Sequence, residues 1–99
     1  MAEVELLRVA AGTSAKTLAG AIASIIHKGN NCELLAIGAG PVNQAVKALT
    51  IARSLTSTFG KDLMFKTGWE TLDLSNEIDA AGKSGKPEVS MIKFFVVVI

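Results

Sequence analysis

The run Phe94-Phe95-Val96-Val97-Val98-Ile99 constrains this chain more than any other stretch. Aromatic and β-branched residues in succession favour a strand, and the run is far short of the ~20 residues a membrane-spanning helix needs. A strand apolar on both faces has to be central in a sheet, covered by another layer, or buried at a subunit interface. Left exposed, it would be an aggregation hazard. The rest of the chain must therefore supply sheet partners and a covering layer.

Those partners can be read in order. Val4 to Ala10 (VELLRVA) is a first short strand, broken by Gly12-Thr13-Ser14. Ser14 is a good helix N-cap, because its hydroxyl accepts from an otherwise unpaired first-turn amide. Leu18, Ile22, Ile25 and Ile26 then recur at helical spacing, with Ala19 and Ala23 on the same broad face. Lys28 suits the negative end of that helix, and Gly29 suits a left-handed stop. Glu33 to Ala39 (ELLAIGA) is expected to be a second, buried strand.

Pro41 fits the first position of a second helix, which is expected to bury Val42, Ala45, Val46, Leu49, Ala52 and Leu55. Lys61 to Trp69 is a third strand, Glu70 to Pro87 a polar connection, and Glu88 to Ile99 the last strand. The order β-α-β-α-β-β predicts an α/β chain of the α+β two-layer type, with two helices on one face of a four-stranded mixed sheet. Its 99 residues make one domain.

With 49% hydrophobic residues, the chain has more apolar surface than one small core needs, which points to a second copy and a homodimer. The net charge is only +1, but it is unevenly spread. Between Arg8 and Lys66, the seven bases Arg8, Lys16, Lys28, Lys47, Arg53, Lys61 and Lys66 stand against only Glu33 and Asp62, whereas residues 70–87 carry four acids against Lys83 and Lys86. This is no dense basic stripe, yet it leaves the body able to steer a polyanion. Cys32 stands alone, so no intrachain disulfide forms. Glu3 and Glu5 occupy the place of a basic leader segment, so a cytoplasmic location is expected.

The most informative motif is GAGPVNQAVKALTIAR, Gly38 to Arg53. Gly38 and Gly40 let backbone amides approach a ligand, and the helix that follows aims its positive end at the same place, a combination that favours anions. Asn43 stands where a dinucleotide fingerprint would have its third glycine, and the phosphate-loop ending is absent. The pair also serves as a plain strand-to-helix turn. Asn43 and Gln44 can bond bases or phosphates, cap the helix or bind a partner chain.

His27 is explained by the helix C-terminus. One His and one Cys make no metal site, and no base stands at catalytic spacing from Ser14 or Ser54, so neither enzyme activity nor a cofactor is expected. Trp69, at a strand end, is expected to be partly buried rather than stacked on a base.

The Gly38–Arg53 block resembles the stage V sporulation protein S family, with its GAG-x-x-NQAVKA-x-x-IAR hallmark. The opening strand and the Ser-capped helix bearing Leu18-Ala19-Gly20-Ala21 are also similar. The resemblance implies an Alba-like fold, a homodimer, nucleic-acid binding and a place in bacterial spore formation. Archaeal Alba proteins carry bases where this chain has Gly12, Thr13, Gly38 and Gly40. The expected contacts are therefore Lys16, Asn43, Gln44, Lys47 and Arg53 around the Gly38 and Gly40 turn, with Lys83 and Lys86 on the hairpin. The alternatives are a protein-interaction module without nucleic acid, or a small-anion or nucleotide sensor at the glycine turn.

Overall fold

The computed structural model describes residues 2–73 and 88–99. Its elements run β1 (Val4–Val9), α1 (Ala15–His27), β2 (Asn31–Ala36), α2 (Ala39–Ser57), β3 (Leu63–Asp73) and β4 (Glu88–Val98). They form a two-layer α+β sandwich with sheet order β1-β2-β4-β3. β1 and β2 are parallel, and β4 is antiparallel to both β2 and β3. The apolar run is thus central, one of the three placements its composition allows, but only one of its faces is covered. Phe94 and Val96 are buried beneath the helices, while Phe95 is half-buried and Val97 exposed on the face that no helix covers.

Local chemistry explains the helix ends. The Ser14 hydroxyl accepts from the Thr17 amide at 3.3 Å. At the other end of α1, the Gly29 amide donates to Ile26 O and the Asn30 amide to Ile25 O. Gly29 sits at φ 85°, completing a left-handed Schellman stop. The buried stripe of α1 matches its apolar spacing: Leu18, Ala19, Ile22, Ala23, Ile25 and Ile26.

Several boundaries differ from expectation. β2 ends at Ala36 and α2 starts at Ala39, so Pro41 is the third helical residue rather than the first. The shift costs nothing in hydrogen bonding, because the amide proline lacks would in any case be free in the first turn. α2 buries Ala45, Ala48, Leu49, Ala52 and Thr56, whereas Val46 and Leu55 are each 40% exposed. Close approach to α1 selects the small side chains and rotates the larger ones outward.

β3 and β4 pair from Leu63↔Val98 to Asp73↔Glu88, so β3 runs four residues past its expected end at Trp69, whereas β4 starts at Glu88 as expected. Trp69 is not partly buried but 77% exposed. The helices pack mainly on each other and on β1 and β2, and the outer strand β3 is left largely bare.

Candidate functional site

Because β1 and β2 are parallel neighbours, their C-terminal ends lie side by side, and the turns leading into α1 and α2 meet there. Two contacts join the turns. Gln44 Nε2 donates to Thr13 O at 2.6 Å. A Cβ on Gly40 would stand 3.1 Å from Ala11 Cβ, so glycine permits the approach. Gly38, the N-cap of α2, has φ 90° and ψ 171° and offers no side-chain cap. Neither helix carries an acid in its first turn, so two positive helix ends converge without local neutralisation.

The sequence-predicted contact residues divide on this frame. Lys16 lies in the first turn of α1 and is exposed, and Asn43 is exposed near the start of α2. Gln44 has its amide committed to Thr13 O. Lys47 is exposed, about 12 Å along α2 from its first residue. Arg53 lies about 21 Å along the same helix. There its Nε is 2.6 Å from Asp62 Oδ1 and its terminal nitrogen 3.2 Å from Oδ2. That two-pronged pair holds the Asp62 carboxyl below its ordinary value and raises Arg53. Lys83 and Lys86 lie outside the described residues.

Charge pairing decides what positive potential remains. Lys28 pairs with Glu5 at 3.1 Å. Lys93 bridges Glu70 at 2.8 Å and Glu33 at 3.4 Å, and the hydrogen bond to Glu70 is the main cause of its raised pKa. Lys61 donates to Ile26 O near the end of α1. Among the described residues this leaves Arg8, Lys16, Lys47, Lys61 and Lys66 without a carboxylate partner, Lys61 being held by a carbonyl instead. Arg8 and Lys66 belong to the uncovered sheet face, where Lys66 Nζ lies 5.6 Å from the Phe95 ring centroid.

The same end of the molecule carries a feature that the sequence does not signal. Ala36, the last residue of β2, is opposite Ile92, which is opposite Trp69. Beyond that row β3 and β4 continue as a two-stranded hairpin, past the end bearing the glycine turn. The exposed Trp69 ring stands at the hairpin's base. Only the alternation along β3 hints at it, by giving Phe65, Thr67 and Trp69 one face.

Other reactive groups are accounted for structurally. His27 packs edge-on against Phe59, with ring centroids 4.7 Å apart. The Ser57 hydroxyl donates to Ser54 O and the Thr50 hydroxyl to Val46 O, both carbonyls of their own helix. Burial pushes the Cys32 thiol up to about 12. Among the described residues no three His, Cys, Asp or Glu side chains are grouped to hold a metal ion. No described helix is long and apolar enough to cross a membrane.

Set beside known families, residues 5–97 match the family model described as stage V sporulation protein S. The match takes in every strand and helix above except the outermost residues Val4 and Val98, the glycine turn included. This chain therefore belongs to the stage V sporulation protein S family, and its role is related to sporulation.

Proposed function

We propose that this protein binds nucleic acid with little sequence specificity, through the end of the molecule where the two helix N-termini converge. The observation that carries this reading is the pair of acid-free helix ends locked together by Gln44 and Thr13, with Lys16 beside them and the β3–β4 hairpin leaving from the same end. Backbone amides at a helix start and unpaired lysines are phosphate ligands that carry no base information. The proposed contacts are Lys16, Asn43 and the turn at Gly38 and Gly40, with Lys47 at the flank. Lys83 and Lys86 join them on sequence grounds alone. Arg53 is left out, because Asp62 already occupies its donor fork.

A homodimer acting in the cytoplasm completes the proposal. Leu6, Met64 and Val97 are exposed on the uncovered sheet face and give a second copy apolar surface to cover. The same exposure favours a second reading, a protein-interaction module that binds no nucleic acid.

Fluorescence anisotropy of labelled duplex and single-stranded oligonucleotides, repeated across salt, tests both. Binding whose log affinity falls with log salt is expected, and Lys16→Ala or Lys47→Ala should each reduce the salt slope by about 1. No binding at ~50 mM salt, where phosphate contacts are strongest, overturns the proposal in favour of the interaction module.

A further inference from the structure

We infer that Trp69 and Phe65 form a stacking platform for unpaired bases, and that the nucleic acid this chain takes is single-stranded. The inference rests on the nucleic-acid reading above and specifies its ligand. Trp69 is 77% exposed and Phe65 38% exposed, on the same face of β3 and four residues apart, a separation of about 13 Å. Phe65 is held in place by an edge contact with Phe94, centroids 5.3 Å apart. Thr67 lies between them in sequence, and a cleft of about 190 Å³ bordered by Thr67, Gly68, Trp69 and Ile92 opens beside the indole. The platform stands two strands, roughly 10 Å, from the end of β2, which leads into the glycine turn.

Geometry and charge both favour single strands. In a duplex the π-faces of the bases are already stacked on each other, so an exposed indole finds such a face only on an unpaired base. Duplex affinity also grows with the number of phosphates neutralised. This chain has a net charge of +1, and only Arg8, Lys16, Lys47, Lys61 and Lys66 lack a carboxylate partner among the described residues. Stacking supplies affinity without charge and without sequence preference, because every base has a π-face.

Trp69 is the only tryptophan, so its emission reports on the platform directly. The full chain would be titrated with an oligothymidylate of about 16 nucleotides, the matching oligouridylate, and a duplex of equal length. Anisotropy of the same oligonucleotides would be followed in parallel. The expected result is saturable quenching by one or both single strands at the affinity anisotropy gives, with little quenching by the duplex; the two arms separate DNA from RNA. Trp69→Ala should weaken single-strand binding about 5- to 150-fold, and Trp69→Phe should recover most of it. Because the ring is exposed, Trp69→Ala should keep the wild-type far-UV circular dichroism spectrum.

Anisotropy binding with unchanged emission and unchanged Trp69→Ala affinity overturns the platform and leaves the nucleic-acid reading standing. Absence of binding in every arm overturns both. A dimer seen by sedimentation that Trp69→Ala dissociates, with emission insensitive to oligonucleotide, assigns the ring to a second copy and likewise overturns the platform.

Discussion

Gly38→Ala isolates a purely conformational cost in the turn on which the site is built. Gly38 has φ 90° and ψ 171°, a region populated essentially by glycine alone. A Cβ placed there meets nothing within 4 Å, so neither a clash nor a packing gain enters. The whole effect is backbone strain, about 1–3 kcal/mol. For a domain of this size each kcal/mol is worth roughly 4–8 °C, so a melting point lowered by about 10 °C is expected. Gly38→Asn should recover nothing, because ψ lies far from the left-handed helical region that asparagine tolerates.

Gly40→Ala provides the contrast. Gly40 has no positive φ, and its added Cβ would press on Ala11 at 3.1 Å. Alanine's advantage over glycine within a helix, up to about 1 kcal/mol, offsets that crowding. Thermal unfolding by far-UV circular dichroism should therefore rank Gly38→Ala well below Gly40→Ala. A Gly38→Ala protein melting within ~1 °C of the unsubstituted chain would refute the strain argument.

Two further outcomes follow from buried and paired groups. Cys32, pushed up to about 12 chiefly by burial, should resist a thiol reagent at about pH 8 in the folded protein and react fully once denatured; labelling of the native chain at the rate of a free thiol would contradict its placement. Asp62, held low chiefly by its hydrogen bond to Arg53, contributes stability that is present above its ordinary value near 3.9 and is lost as pH falls through the lower native value. Both partners are solvent-exposed, so the effect is small and salt-sensitive. The urea midpoint of Asp62→Asn should accordingly fall less steeply below about pH 4 than that of the unsubstituted chain, and equal slopes would show that the pair contributes nothing.

The parts of the fold legible in the sequence are those set by local chemistry. Ser14 and Gly29 bracket α1 as their hydroxyl and left-handed preferences dictate. The continuous apolar run of β4 called for a central, covered or interface position, and the fold takes the central one. What escaped depends on distances between elements. Hydropathy ranks Val46 and Leu55 above Ala48 for burial, yet the approach of α1 to α2 admits the alanine and turns the larger chains outward. Trp69 has a strand neighbour's chance of burial in the sequence, but the helices pack mainly on each other and on β1 and β2 and leave β3 largely bare. Residues 70–73 look like a loop because they open a polar stretch in which Leu72 is a lone apolar residue, whereas pairing with β4 carries the ladder through Asp73.

The glycine block shows the same division at the level of the site. From sequence, Gly38, Gly40, Asn43, Gln44, Lys47 and Arg53 are all candidate contacts, although Lys47 and Arg53 fall on no common stripe of a helix. In the fold, Gly40 makes room for Ala11, Gln44 ties one turn to the other, and Arg53 is taken by an aspartate nine residues further on. Most of the block is therefore architecture: it fixes the relative position of two helix N-termini. The groups left to meet a ligand there are backbone amides, Asn43 and the two exposed lysines, one of which, Lys16, comes from outside the block altogether. Removing Gln44 would disturb the frame and the contact together, whereas Lys16 and Lys47 touch no other element through an ion pair. Substitution of those two lysines consequently separates binding from folding, and the stacking ring at Trp69, also outside the block, separates the strand's bases from its phosphates.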